Sequence, residues 1–184
     1  LEVVPFSIEK VSYSHEVSQI MSNRLTDKSS KSVLNFDLYI PAKSSFNKLN
    51  FDDLRWYIGA SDLKVSSELM YFLQEKTEFI RVEIKGVVNQ WQYQFIPEFN
   101  FVGFEEYLTF CNQRSSNYRK HILEYAMLPE KYLFFKIKNL SSLFSDLLNK
   151  NRNLATLNET DHSITSPLIL EMSFVFNDTS EVLD

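Results

Sequence analysis

Val82-Glu83-Ile84-Lys85 is the stretch whose residue types and spacing come nearest to a catalytic core. An acidic-x-Lys pair on a strand, with an Asp earlier in the chain, can hold Mg²⁺ between two carboxylates while the Lys helps activate water. Here Glu83 and Lys85 fall on one face, and Asp62 or Asp53 is the candidate second carboxylate of a metal-dependent nuclease. Strand alternation explains the same residues without chemistry. Ile80, Val82 and Ile84 lie on one side and Arg81, Glu83 and Lys85 on the other, the pattern of a strand with one wet face. Cys111 as a nucleophile needs a base and a lowered pKa. His121 is ten residues on, but Leu108-Thr109-Phe110-Cys111 reads as the setting of a small buried hydrophobe. His15, His121 and His162 are scattered, with no HExxH spacing and no GxSxG elbow. The three isolated glycines exclude GxGxxG and GxxxxGK[ST] phosphate loops. The pairs Asp52-Asp53 and Glu105-Glu106 read as residues that complement helix dipoles at helix starts.

Recognition by another macromolecule has more support. Trp56, Tyr57, Trp91 and Tyr93 are candidate partner-binding anchors, since Trp and Tyr dominate interface hot spots; core packing is the competing reading. Arg114, Arg119, Lys120 and His121, near Tyr118 and Tyr125, form a small basic cluster. The net charge of −5 argues against a general binder of nucleic acid or anionic membrane, and that cluster reads as a solvated helix face. The single cysteine allows no intramolecular disulfide and no Cys-based zinc site, and points to a reducing, intracellular compartment. No cofactor or metal is expected. Asn139, Asn158 and Asn177 begin chance glycosylation triplets, no apolar run reaches the roughly 20 residues of a membrane helix, and the start at Leu1 suggests a fragment.

The elements that must position these residues follow from periodicity. Leu34, Phe36, Leu38 and Ile40 alternate along a strand from Val33 that Pro41 stops. Val11 to Tyr13 also suits a strand, and Phe51 to Ile58 a helical turn or short strand. Ser66 or Ser67 caps a helix to about Lys76. Phe79–Pro97 is a hairpin, which Phe99 and Phe101 extend as a meander. Phe104 to Phe110 looks helical, and Asn117 to Met127 is a helix with Tyr118, Ile122, Tyr125 and Ala126 on one face, ended by Pro129. Tyr132 to Lys138 is a strand. Asn139 then caps a helix whose Leu140, Leu143, Phe144, Leu147 and Leu148 form one apolar stripe. Leu168 to Phe176 is a late strand. Blocks of strand and helix without a βαβ rhythm give an α+β class with antiparallel sheets, flanking helices and room for two small units.

The strand Leu34–Pro41, the hairpin Phe79–Pro97, the helices of 104–127 and the Tyr132–Leu148 strand and helix together resemble the RWD domains of inner-kinetochore proteins. Among them the CENP-O/CENP-P pair of the budding-yeast COMA assembly is nearest, with a leaning to the CENP-O-like member. The resemblance covers most of the chain as two reduced units in tandem, residues 1–78 and 79–184. It implies a non-catalytic nuclear scaffold at the centromere. Such a subunit forms a heterodimer with a second tandem-RWD subunit and docks further kinetochore proteins, with no cofactor and no direct contact with nucleic acid or membrane. RWD folds are related in shape to ubiquitin-conjugating enzymes, but the His-Pro-Asn stretch those enzymes carry before their cysteine is missing ahead of Cys111. The remaining expectations are the nuclease using Glu83 and Lys85 and an acidic domain that takes peptides along a sheet edge.

Overall fold

The structure, a computed structural model, describes residues 7–15, 32–42, 51–59, 62–85, 93–104, 117–150 and 167–179. In chain order its regular elements are β1 (Ser7–Ser14), β2 (Ser32–Ile40), β3 (Trp56–Tyr57), α1 (Leu63–Lys76), β4 (Thr77–Ile84), β5 (Tyr93–Phe95), β6 (Phe99–Phe101), α2 (Asn117–Met127), β7 (Phe134–Ile137), α3 (Leu140–Lys150) and β8 (Leu168–Phe176). The class is α+β with antiparallel sheets. A five-stranded sheet has the order β1-β2-β8-β4-β5, and a three-stranded sheet the order β3-β7-β6. β8 therefore inserts between β2 and β4, so the larger sheet joins strands that lie far apart in the sequence. Position 78/79, where the sequence suggested a division into units, lies inside β4 of this shared sheet.

Alternation decides which side of the larger sheet is core. Leu34, Phe36, Leu38 and Ile40 face Phe174, Met172, Leu170 and Leu168 across the β2–β8 ladder. Ile80, Val82 and Ile84 face Phe174, Met172 and Leu170 from β4. These side chains join Phe72 and Leu73 of α1, Leu140, Phe144 and Leu147 of α3, and Phe135 and Ile137 of the small sheet in one buried cluster. β1 reaches this face through a bulge between Ile8 and Lys10. The extra residue puts Ile8 opposite Leu38 and Val11 opposite Phe36, on the same side, which a spacing of three would otherwise forbid. Phe99 and Phe101 do not prolong the hairpin's meander: β6 leaves the large sheet and pairs with β7 in the small one.

Helix starts differ from their expected caps. α1 begins at Leu63, and the Asp62 carboxylate accepts the Lys64 amide at 3.0 Å, so the cap lies before Ser66 and Ser67. The start of α3 is held from a distance. Asp52 Oδ1 accepts the Ser141 amide at 3.1 Å, and the Asp52 amide donates to Ser141 Oγ at 3.2 Å. Asn139, with φ 63°, contributes its backbone carbonyl to the Leu143 amide. Asp52 does complement a helix start, but that of a helix 89 residues later. Gly103 sits against the Pro129–Leu133 turn, where a Cβ would meet Tyr132 Cδ1 at 2.8 Å. A side chain there would force that turn away.

Candidate functional site

The would-be nuclease residues are absorbed by the far face of the large sheet. Asp37, Glu171 and Glu83 stand directly across from one another on β2, β8 and β4, a row of three like charges. Such a row is unfavourable unless cations interleave it. Lys85 Nζ lies 2.6 Å from Asp37 and 3.2 Å from Glu171. Arg81 Nη2 lies 3.7 Å from Glu171 and 3.8 Å from Glu83. Burial opposes the charge of Lys85, but hydrogen bonds to Asp37 and Glu171 and their negative charges outweigh it, so its pKa is raised. An ammonium held this way is no base. Asp62 is the α1 cap, Asp53 belongs to the Phe51–Asp53 turn, and no three His, Cys, Asp or Glu among the described residues are grouped to hold a metal ion. The nuclease reading is therefore withdrawn. The expected wet face is also corrected at Arg81, which is only 6% exposed and lies among the carboxylates of Glu83 and Glu171.

The surface that asks for a partner is α2. Ile122, Tyr125 and Ala126, which the sequence places on one face, are exposed, together with Leu123, Met127 and Leu128. Met127 is 74% exposed, whereas Glu124 is 2% exposed. The helix is turned over: its carboxylate points inward and its hydrocarbon outward. The reason lies beneath it. Lys131, on the turn that follows, reaches Glu124 Oε2 at 2.6 Å, and a buried carboxylate holds its site only with such a partner. The Tyr132 hydroxyl donates to the His121 carbonyl at 3.1 Å, and the Tyr125 ring meets Tyr132 edge-on at 5.5 Å. Burial and the nearby Glu124 charge raise the Tyr132 pKa, keeping its hydroxyl protonated as a donor. Tyr125 and the exposed Tyr71 of α1 line one groove of about 600 Å³, together with Asp62, Lys64, Ser67 and Glu68 of the α1 side. Isolated exposed hydrophobes need no explanation, but five within residues 122–128 form a patch of the kind that marks an interface.

The other candidates fall in several places. Trp56 stacks on Phe135 and meets Phe36 edge-on, while Tyr57 is half exposed beside Phe134. Tyr93 pairs with Val82 in the β4–β5 ladder. Trp91, Cys111, Arg114, His162, Glu105 and Glu106 lie outside the described residues. Sequence reasoning missed Glu124, Lys131, Leu123 and Met127. A signal was present: the apolar residues of 122–127 run consecutively round the helix and form no single stripe, with one carboxylate among them. Among the described residues no helix is long and apolar enough to cross a membrane.

Fold and surface together define an α+β domain of two antiparallel sheets with an outward apolar helix face. A family model described as Type VI secretion system, TssF matches residues 1–172. The chain belongs to the TssF family of the type VI secretion system. No curated protein matches it. A chain in the cryo-electron microscopy structure of the type VI secretion system TssK-TssF-TssG baseplate subcomplex shares its fold, with a TM-score of 0.65 at 17% identity. The match covers 98% of this chain and 28% of that one, so this chain spans little more than a quarter of that chain's length.

This membership overturns the resemblance to tandem-RWD kinetochore subunits of the CENP-O/CENP-P type. The scaffold role in chromosome segregation and the nuclear, centromeric location fall with it, since type VI secretion is a bacterial system. The error has a physical source. Alternating strands such as Leu34–Ile40 and Phe79–Lys85 report a half-buried antiparallel sheet, and every family built on such sheets carries them.

Proposed function

We propose that this chain is a structural part of a type VI secretion baseplate, acting by burying apolar surface against other baseplate subunits and catalysing no reaction. The observation that carries the reading is the inverted helix α2, with Met127 exposed and Glu124 buried. A helix held in that orientation by the Glu124–Lys131 ion pair presents hydrocarbon to a neighbour rather than to the core. The similar chain comes from a complex with TssK and TssG, which makes their counterparts in the same bacterium the first partners to test. The family assignment, the shared fold and the withdrawal of the nuclease residues all support this role.

The experiment is co-expression with the TssK and TssG counterparts and affinity purification of the assembly. Leu123→Ser combined with Met127→Ser should strip the partners while leaving the chain's melting temperature nearly unchanged, because both residues are exposed. Partners retained at wild-type stoichiometry by that double variant would refute the reading.

A further inference from the structure

In the larger sheet β8 stands between the β1–β2 pair and the β4–β5 pair, so its register aligns the two halves. On the core side that register is loosely specified. Leu168, Leu170, Met172, Phe174 and Phe176 are all buried there. A slip by one residue would turn them outward and is excluded. A slip by two keeps each core contact apolar: Leu34 and Ile80, now opposite Phe174, would meet Phe176 or Met172. Cores accept exchanges among large apolar residues at modest loss. The far side is less tolerant. There Glu171 lies between Asp37 of β2 and Glu83 of β4. Lys85, one residue past β4, sits 3.2 Å from Glu171 and reaches across β8 to Asp37 at 2.6 Å. Arg81 sits 3.7 Å from Glu171 and 3.8 Å from Glu83. Glu171 is thus the carboxylate that the two cations share.

We infer that this charge row is a register lock: Glu171, held between Arg81 and Lys85, admits β8 in one register and rejects the two that the apolar face would accept. A slip of two residues moves Glu171 by about 7 Å along the strand, out of reach of one cation. Ser173 or Ile169 then takes its place between Asp37 and Glu83. Arg81 and the three carboxylates are largely buried, so water makes up little of the loss. Buried ion pairs add little stability over apolar packing, and their best-attested use is to select one arrangement among several. The end of β8 is tied as well, by the Asn177 amide donating to the Lys76 carbonyl at 3.1 Å, and the experiment separates the two devices.

The test is Glu171→Leu in the isotope-labelled chain, read by cross-strand nuclear Overhauser contacts. Each cation keeps one carboxylate, Lys85 with Asp37 and Arg81 with Glu83, so the variant should fold. In the unaltered chain Val33 should connect to Val175 across the β2–β8 ladder. In Glu171→Leu the β8 amide signals should split into two sets. About a tenth of the molecules or more should then join Asn35 to Val175 or Val33 to Ser173. A single set with the Val33–Val175 connection would overturn the inference and assign the register to the core and the Asn177 contact. Phe144→Ala, which destabilises the core without touching the row, should keep one set; the same splitting there would also overturn the lock, since lost stability alone would explain the slip. If Glu171→Leu does not fold, Glu171→Gln decides, because it keeps the shape and removes the charge. A second set of β8 signals supports the lock, and one set in the original register overturns it.

Discussion

α2 and α3 are both eleven residues long, and they bury opposite things. α3 places Leu140, Phe144 and Leu147 in the core and leaves Ser142, Ser145 and Asp146 in water. α2 places Glu124 inside and leaves Ile122, Leu123 and Met127 in water. The difference lies in what waits beneath each helix. Under α3 are the rings and aliphatic chains of the main core, with Phe51 against Phe144 at 4.4 Å. Under α2 is a small polar pocket made by Lys131 and Tyr132. A helix with apolar residues on several sides turns toward whichever floor satisfies its most demanding group, and an unpaired buried charge is more demanding than an exposed methyl. α3 is accordingly part of the fold, and α2 is a surface carried by it.

The sharpest contrast is between truncations. Phe144→Ala should cost about 3–5 kcal/mol in urea denaturation, because it leaves a cavity among fully buried neighbours. Leu123→Ser should change stability by no more than about 0.5 kcal/mol while impairing assembly. Equal stability losses at the two positions would mean that α2 is packed like α3 and would break the comparison. Next in size is the polar floor. Glu124→Ala should cost about 3 kcal/mol, because it removes the carboxylate that faces the Lys131 ammonium at 2.6 Å. Glu124→Leu combined with Lys131→Met should recover most of that loss in the same denaturation assay.

α3 was legible because its apolar residues repeat at helical spacing and its floor is apolar, so periodicity alone points it the right way. β2 and β8 were legible for the same reason at period two; β8 runs from Leu168 to Phe176 as alternation predicts. The face of α2 was not legible, since its orientation depends on a lysine beyond the helix end and a tyrosine hydroxyl. Nor was the cap of α3, which Asp52 supplies from another part of the chain. The insertion of β8 between β2 and β4 leaves no local mark either. The ion-pair row of Asp37, Glu171, Glu83, Lys85 and Arg81 reads along each strand as ordinary surface alternation. Only the register across three strands reveals it.

Smaller effects refine the contrast. Asp52→Ala should lower stability by about 1 kcal/mol through the start of α3, and thermal melts should show it without loss of partners. The alkaline limb of the stability curve tests the polar floor and the ion-pair row together. The pKa values of Tyr132 and Lys85 are both raised in the folded chain. Their contributions are therefore complete below the unfolded values, near pH 10, and are lost as pH rises through the folded values. Melting temperature should fall above about pH 10, and Tyr132→Phe should flatten part of that fall. A fall of the same steepness in Tyr132→Phe would remove the tyrosine from the account.

The central claim is that the outward face of α2 meets another baseplate subunit. A photoreactive residue at Leu123, in the chain co-assembled with its TssK and TssG counterparts and then irradiated, tests it most directly. The account predicts a covalent adduct between this chain and one of those subunits, absent when the probe is placed at the exposed Asp146 of α3. An intact assembly that yields no adduct from Leu123, or the same adduct from both positions, would contradict it.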